Sequence, residues 1–267
     1  MNFFKSQESG ETKIDERSNK DLLLEHYSLA IQSNNAQNYP PFPKRLFLDI
    51  KPLNENGLVQ FDNSGAWVVG QKFPTHEEKY SEVLDNYGYP KFCELDADYR
   101  PLHPWWKEMA LNPDIGAVIG KGFFYHWGAN YTADTATFAY ADKIPHILLI
   151  KRGDTNEWAL PGGFLEPGEN DLNASIRELS EESGLDINDY KSTFNKLYAG
   201  PVLDIRTTLH AWVETNLWSV ELNTEKLPGV FGNDDANEAK WFKLDEIPHN
   251  LYGSHPFLID KAITGHS

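Results

Sequence analysis

The stretch "GFLEPGENDLNASIRELSEESGL", residues 163–185, decides the fold because it joins a glycine-containing loop to a predicted helix. At about 100° per residue, a helix over residues 171–183 presents two distinct faces. One face is apolar and is predicted to pack on a sheet; it consists of Leu172, Ile176 and Leu179. The adjacent face carries three carboxylates, those of Glu178, Glu181 and Glu182.

The ends of this helix carry capping signals, and its acidic face needs a counter-charge. Asn170 or Asp171 can cap the start, and Gly184 can end the helix. Neighbouring carboxylates on one face repel by roughly a few tenths of a kcal/mol per pair. A hard divalent cation such as Mg²⁺, which takes oxygen ligands, would offset that repulsion. The alternative is a solvated acidic face, which most glutamate-rich helices have.

The surroundings of the acidic face favour the metal-site interpretation. Gly162 and Gly163 close a predicted strand and let the backbone approach a ligand. Glu169 lies where loop and helix meet, and Arg177 is placed to pair with it from the helix. Such a pair would hold the loop against the helix.

The spacing of these residues resembles the Nudix box. Gly163 is followed after five residues by Glu169, and after seven more by the run RELSEESGL at 177–185. Many specified positions at fixed spacing are far more specific than a lone glycine motif. The resemblance implies an α+β fold, namely an α/β/α sandwich with a mixed sheet. It also implies hydrolysis of a diphosphate that is linked to a nucleoside.

The same resemblance implies a role for each residue of the box. Glu178 and Glu182 would ligate Mg²⁺ or Mn²⁺ together with the carbonyl oxygen of Gly163. Glu181 would hold a further metal ion or position the attacking water as general base. The structural ion pair of the box would be formed by Glu169 and Arg177. The alternative is a box that binds ligand without turnover.

Three further segments resemble the ADP-ribose hydrolases of the Nudix family and the related Nudix domain of ADP-ribose-gated melastatin-type channels. They are "GKGFFYHWGANYTAD" (120–134), "YAGPVLDIRTTLHAWVET" (198–215) and "LYGSH" (251–255). Pro201, sixteen residues after Leu185, is associated with the same hydrolases. The resemblance implies cleavage of ADP-ribose to AMP and ribose 5-phosphate. The alternatives are another nucleoside diphosphate derivative, such as a dinucleotide cofactor or nucleotide sugar, or a non-catalytic ADP-ribose sensor.

The matched segments suggest substrate-binding residues: Asp204, Arg206, Tyr252, His255 and Asn130. Arg206 suits a diphosphate because a guanidinium grips phosphate oxygens with two hydrogen bonds. Each of these residues also has a structural alternative. Asp204 and Arg206 could form a surface ion pair, and His255 could be a capping or core histidine. Asn130 and Asp134 lie in the segment 127–134, which is predicted to be a loop, and could either hydrogen-bond substrate or stabilise the turn.

The chain divides by pattern into a smaller N-terminal region, residues 1–115, and a catalytic domain, residues 116–267. The N-terminal region is predicted to pack on the catalytic domain. Its predicted elements are a helix at 20–33, strands at 45–50 and 66–73, and a helix at 75–87. In the second half, strands are predicted at 146–152, 157–164, 209–222 and 238–247, with a closing helix from residue 255.

The composition limits the classes of molecule that are expected to bind this protein. The net charge of −16 weighs against nucleic acid and anionic membranes as main partners. A small anionic substrate, such as a nucleotide, would need a cation or local arginine or lysine to offset this charge. No apolar run approaches the ~20 residues of a spanning helix. Cys93 is the only cysteine, which is compatible with a reducing compartment, and the first residues resemble no secretory signal. A cytoplasmic protein is therefore expected, and its oligomeric state stays open.

Overall fold

The computed structural model describes residues 18–25, 59–61, 67–69, 94, 101–111, 124, 127–187, 194–204, 206–224 and 226–266. The helices are α1 (19–25), α2 (Trp106–Leu111), α3 (Asp171–Ser183) and α4 (His255–His266). The strands are β1 (Val59–Phe61), β2 (Trp67–Val69), β3 (Gly128–Ala141), β4 (Ile144–Arg152), β5 (Trp158–Ala159), β6 (Gly162–Phe164), β7 (Asn195–Val202), β8 (Ala211–Leu222) and β9 (Ala236–Lys243). The elements predicted at 45–50 and 75–87, and the predicted boundary between residues 115 and 116, lie outside these ranges.

Within the described ranges, seven strands form one mixed sheet. Its main path runs β5-β4-β3-β8-β7, while β6 pairs with β3 and β9 pairs with β4. β3 and β8 run parallel, from Gly128 opposite Ala211 to Ala139 opposite Leu222. The other pairings in this sheet are antiparallel. β1 and β2 form a separate antiparallel pair.

The continuous apolar run of β4 explains why the sheet is covered on both faces. Ile147 and Leu149 belong to one buried cluster with side chains of α4, and Leu148 and Ile150 belong to another with side chains of α3. Successive strand residues point to opposite faces, so a continuous apolar run needs a layer on each side. The fold is therefore an α/β/α sandwich with a mixed sheet, as predicted.

The predicted caps of α3 are present. The Asn170 side chain accepts a hydrogen bond from the backbone N–H of Asn173 at 2.9 Å. Gly184 ends the helix in the left-handed conformation with φ of 66°, and its N–H donates to the carbonyl of Ser180. The ring of Phe231 lies against Gly184, where an added Cβ would be only 2.3 Å from it. The left-handed backbone favours glycine there, and any larger residue would also displace the exposed Phe231 ring.

Two predictions for single elements were wrong. The segment 127–134 was predicted to be a loop, but from Gly128 onward it is the start of β3, paired with β8 on one side and β6 on the other. Glycine and asparagine are local turn signals, and the pairing on both sides overrides them. The predicted strand 157–164 is broken at Leu160 and Pro161 into β5 and β6, which pair with different strands.

The segments before the sheet contribute to the same core. Leu23 of α1 and Met109 of α2 are fully buried in the cluster that also contains residues of β3, β4 and α4. The Lys20 ammonium donates to the Glu108 carboxylate at 2.6 Å, which fastens α1 to α2. The backbone N–H of His103 donates to the carbonyl of Leu209 just before β8. None of the described helices has both the length and the apolar character of a membrane span.

Candidate active site

A cleft of about 800 Å³ brings together most of the residues that the sequence singled out. Its walls come from β3, the end of β4, β6 and α3, from residues 202–204 and 206, from residues 234, 235 and 237, and from residues at and just before the start of α4. The predicted residues that line it are Gly163, Arg177, Glu178, Glu181, Glu182, Asp204, Arg206, Tyr252 and His255. Residues from four separate stretches of chain therefore share one cavity.

Arg177 forms hydrogen bonds to several groups around the acidic face of α3. Its Nε and Nη2 donate to the two oxygens of Glu169 at 3.0 and 2.9 Å, so the predicted pair is present. Its Nη1 donates to Glu178 at 2.7 Å and to Glu181 at 3.0 Å. A further bond from Nη2 reaches the carbonyl of Phe164 at 3.1 Å. One guanidinium thus ties the loop, β6 and the acidic face of α3 together.

Glu169 holds the loop rather than lining the cleft. Its second oxygen also accepts the backbone N–H of Glu166 at 3.0 Å. The hydrogen bonds from Arg177 lower the pKa of Glu169, so it stays ionised and paired. This arrangement keeps the glycine turn at a constant position relative to α3.

The Gly163 backbone and the Glu178 carboxylate occupy adjoining space. A Cβ on residue 163 would lie 2.4 Å from the Glu178 Oε1 atom, closer than any real contact. Burial raises the pKa of Glu178, opposed by Arg177. The close approach explains in physical terms why glycine stands at this position.

Glu182 is the most deeply buried carboxylate of the acidic face, with 5% of the residue exposed. Its Oε2 atom accepts the backbone N–H of Gly162 at 2.9 Å. Burial raises the pKa of Glu182 to about 8, and the nearby carboxylates of Glu178 and Asp134 add to the effect. The negative charge of this buried carboxylate therefore needs to be offset, either by a proton or by a cation.

Asp204, Arg206 and Tyr252 form a second hydrogen-bonded group in the cleft. The Nε and Nη2 atoms of Arg206 each donate to one Asp204 oxygen at 2.8 Å, and the Tyr252 hydroxyl donates to Asp204 at 2.8 Å. Burial alone would raise the pKa of Asp204, but the Arg206 charge and these donors lower it to about 2. The pair is buried rather than the surface pair weighed as an alternative, because Asp204 is 7% exposed.

His255 is neutral and has a defined tautomer. Its Nδ1 accepts the backbone N–H of Leu160 at 3.1 Å, so the ring proton is on Nε2. Burial lowers the pKa of His255 to about 3. The imidazole therefore offers a hydrogen-bond donor in the cleft and carries no charge there.

Asn130 lies apart from this cleft. It is 2% exposed in β3, and its amide donates to the carbonyls of Gly128 and Trp212 at 3.2 and 3.5 Å. These bonds fasten the start of β3 to β8. Its proposed contact with substrate stays a prediction, and the structure places it with neither the box nor the Asp204 group.

The family is shown by comparison with known proteins. A family model described as the NUDIX domain matches residues 132–261. A protein of Caenorhabditis elegans named "Putative nudix hydrolase 6" is 31% identical over 186 residues, which cover 66% of this chain and 68% of that protein. The chain belongs to the Nudix family.

Two further relatives of this Nudix protein have names that mention a function. The mitochondrial ADP-ribose pyrophosphatase of Rattus norvegicus is 30% identical over 173 residues, 52% of this chain and 48% of that protein. A transient receptor potential cation channel, subfamily M member-like 2, of Nematostella vectensis is 27% identical over 272 residues. That match covers 87% of this chain and 16% of the channel. The chain thus spans less than half the length of these two relatives.

Nudix hydrolases generally use divalent metal ions such as Mg²⁺ or Mn²⁺. The donor atoms in this cleft are carboxylate and backbone oxygens, which suit a hard cation. Within the described ranges, no three His, Cys, Asp or Glu side chains already converge on one cation position. A carboxylate can accept a hydrogen bond and ligate a cation at the same time, so Glu178 and Glu182 can keep their bonds to Arg177 and to the Gly162 N–H. The residues fit the ion chemically, and the ligand set stays a prediction.

The sequence left two roles open for Asp134, a hydrogen bond to substrate or support of a turn. It lies in no turn but in β3, directly opposite Gly162, and is 7% exposed. It accepts a hydrogen bond from the Thr215 hydroxyl of β8. Burial raises its pKa to about 7, and the charge of Glu178 adds to this effect. Only the pairing of β3 with β6 brings Asp134 to the box, so no local pattern could have placed it there, and its contact with substrate stays a prediction.

The sequence interpretation missed two charged residues of this cleft, which lie at the end of β4 and in the turn after it. Arg152 and Asp154 line the cleft, and the Arg152 guanidinium lies 4.2 Å from the ring centre of Tyr252. A signal existed in the sequence, because charged residues directly follow the buried strand "HILLI". Side chains at such strand ends commonly line ligand sites.

Proposed function

We propose that this protein hydrolyses the diphosphate of ADP-ribose to AMP and ribose 5-phosphate, with Mg²⁺ or Mn²⁺ held by Glu178, Glu182 and the carbonyl of Gly163. The observation that carries the proposal is the shared cleft. It joins the acidic helix of the box to the Asp204-Arg206 group and His255. The proposed metal ligands and the proposed substrate-binding groups thus line the same cavity.

A bound divalent ion would neutralise diphosphate charge and lower the pKa of an attacking water. The chain's own residues arrange the reactants around that chemistry. Arg177 holds Glu178 and Glu181 in position, and Glu181, whose side chain is 45% exposed, is accessible to orient water as general base. Glu181 as the base is part of this proposal.

The substrate side of the cleft has complementary donors. The neutral His255 ring presents its Nε2–H, which can donate to a phosphate or ribose oxygen. Arg206 is held in one orientation by Asp204, and its guanidinium carbon lies 5.4 Å from the Phe124 ring centre. A fixed guanidinium loses little conformational entropy when it binds an anion.

The proposal is supported by the named activity of the rat relative, which is an ADP-ribose pyrophosphatase. The proposed partner is accordingly a small nucleotide, and neither nucleic acid nor a membrane is proposed as a partner. The cytoplasmic location stays a prediction, since that relative is described as mitochondrial.

The test is identification of products after the purified full chain is mixed with ADP-ribose and Mg²⁺. We expect equal amounts of AMP and ribose 5-phosphate, and no products when the metal is chelated. A parallel panel of dinucleotide cofactors and nucleotide sugars measures the preference for ADP-ribose. Faster turnover of any other compound in the panel would replace ADP-ribose as the proposed substrate.

A second candidate is a sensor that binds ADP-ribose without turnover. It is favoured by the channel relative, whose match extends over 87% of this chain. The intact acidic face of α3 argues against it, because a sensor needs no metal-binding carboxylates. Tight binding of ADP-ribose with no AMP released over hours would establish the sensor.

A further inference from the structure

The start of α4 carries two neighbouring side chains that tie it to different walls of the cleft. Ser254 and His255 are adjacent in the chain, and both line the cleft. His255 accepts the backbone N–H of Leu160 at 3.1 Å. Leu160 lies two residues before Gly162, whose N–H donates to Glu182. On this side, the start of α4 is therefore fastened to the strand end that leads into the glycine turn of the box.

Ser254 fastens the same end of α4 to another wall. Its hydroxyl accepts the backbone N–H of Leu203 at 3.1 Å and donates to the carbonyl of Leu203 at 2.7 Å. Leu203 is 1% exposed and directly precedes Asp204, the carboxylate that holds Arg206. Backbone groups that are buried in this way need hydrogen-bond partners, and one serine side chain supplies both. The backbone beside the Asp204-Arg206 group is thus held by α4.

The partners of the Ser254 hydroxyl are unusual for its position in the chain. A serine directly before a helix commonly caps that helix by accepting an N–H of the first turn. The hydroxyl of Ser254 is engaged with Leu203 instead, in a different segment of chain. The side chain therefore serves the contact between α4 and the segment 202–204, which lines the cleft.

Tyr252 makes a second, separate connection between the start of α4 and Asp204. The backbone N–H of His255 donates to the Tyr252 carbonyl at 2.9 Å, and the Tyr252 hydroxyl donates to the Asp204 carboxylate at 2.8 Å. Ser254 thus holds the backbone next to Asp204, whereas Tyr252 holds its side chain. Loss of the Ser254 hydroxyl is therefore expected to displace this group without detaching it.

We propose that Ser254 is a positioning residue for the substrate, because it sets the distance between the acidic face of α3 and the Asp204-Arg206 group. A substrate whose diphosphate is held beside α3 must also meet Arg206, so this distance decides whether both contacts form at once. Ser254 acts through Leu203 and touches no substrate atom. The proposal rests on the proposed function for its substrate, ADP-ribose.

The experiment measures binding of the α,β-methylene analogue of ADP-ribose, which resists hydrolysis, to the full chain by calorimetry in Mg²⁺. Ser254→Ala is expected to weaken binding roughly tenfold, because two hydrogen bonds that place the Asp204-Arg206 group are lost. Ser254→Cys has nearly the same size and weaker hydrogen bonds, and is expected to lose less affinity. Ser219→Ala is the matched control with unchanged affinity, since it removes an equally buried hydroxyl that bonds the Asn195 carbonyl.

Two further measurements separate positioning from a general loss of structure. The affinity for Mn²⁺, followed by electron paramagnetic resonance, is expected to be unchanged in Ser254→Ala, because Arg177 and Glu169 hold the box independently of α4. In the Arg206→Lys background, Ser254→Ala is expected to weaken analogue binding less than in the wild type, since residues that act through one another are not additive. Equal factors in both backgrounds, or a parallel loss of Mn²⁺ affinity, overturn the proposal.

Far-ultraviolet circular dichroism checks that each variant is folded. If Ser254→Ala does not fold, the same comparisons are made with Ser254→Cys, and an affinity equal to that of the wild type then overturns the proposal.

Steady-state kinetics with ADP-ribose tests the same role in turnover, where Ser254→Ala is expected to raise KM and to change kcat little. A wild type that binds the analogue but releases no AMP would end the proposed hydrolysis, and the affinities would still decide the role of Ser254. Hydrolysis by the wild type together with unchanged affinity in folded Ser254→Ala would overturn the role of Ser254 alone. The two proposals therefore fail separately.

Discussion

At the scale of single residues, the cleft combines ionisable groups whose environments push their pKa values apart. Burial raises the pKa of Glu182 to about 8, while the Arg206 charge, against burial, lowers that of Asp204 to about 2. The hydrogen bond that Glu182 accepts comes from the neutral backbone N–H of Gly162, whereas Asp204 is bonded to the charged guanidinium of Arg206. Strongly shifted pairs of this kind are typical of functional sites.

Glu182→Gln is expected to abolish most turnover, because a lost metal ligand costs several kcal/mol, about a thousandfold in rate. The folded chain remains intact, since an amide oxygen can still accept the Gly162 N–H. Steady-state kinetics with ADP-ribose measures the loss, and Glu246→Gln, an exposed carboxylate outside the cleft, serves as control. A near-normal rate in Glu182→Gln would mean that the predicted ligand set is wrong.

The same residue predicts a dependence of stability on pH. The folded-state pKa of Glu182 lies above its usual value, so its protonated form favours folding and that contribution is lost as pH rises from about 4.5 to about 8. In metal-free protein at pH 8, Glu182→Gln is therefore expected to raise the free energy of unfolding by about 1–3 kcal/mol. Urea unfolding at pH 5 and pH 8 measures it; equal effects at both pH values contradict the prediction.

Arg206→Ala is expected to raise KM for ADP-ribose more than it lowers kcat, because a fixed guanidinium binds ground state and transition state alike. The variant also leaves Asp204 buried without its cation, so folding must be checked by thermal unfolding. Arg206→Lys keeps a charge beside Asp204 and separates the two effects. An unchanged KM in a folded variant would remove Arg206 from the substrate site.

At the scale of elements, α3 was predictable and β3 was not. The caps of α3, its apolar face and its acidic face all follow from spacing within one short segment. The identity of β3 depends on β8 and β6, which follow it in the chain by tens of residues. The glycine and asparagine at its start therefore led to a wrong prediction of a loop, because long-range strand pairing outweighs local turn signals.

Gly184→Ala tests how the end of α3 is held. Alanine there is expected to cost about 1–2 kcal/mol from the left-handed backbone, and more because its Cβ meets the Phe231 ring at 2.3 Å. Gly168→Ala is the matched control, because Gly168 also has positive φ but nothing lies near its Cβ position. Thermal unfolding compares them; an equal loss in both would show that the Phe231 contact contributes nothing.

At the scale of the whole molecule, a residue far from the box in sequence belongs to the core of the catalytic fold. Leu23 is fully buried together with Met109, Phe138 and residues of α4. Burying such a leucine contributes about 1.5–3 kcal/mol. The described helix α1 thus contributes to the same core as β3, β4 and α4.

Leu23→Ala is expected to reduce the free energy of unfolding by about 2–5 kcal/mol, because it leaves a cavity in a closed core. Leu22→Ala, at a partly buried position of the same helix, should cost less. Urea unfolding of both variants measures the difference. If Leu22→Ala proved the more damaging, the packing of α1 on the core would be incorrect.

The sequence by itself determined the features that depend on neighbours within a few turns of chain: the box spacing, both caps of α3, the short apolar run of β4 and the family. Only the tertiary structure decided which distant residues meet the box. Asp134 reaches it through the pairing of β3 with β6, and Arg152 reaches Tyr252 across the cleft. The physical reason is that periodicity encodes which face of an element is buried, whereas register and packing between elements arise from contacts that no local pattern contains.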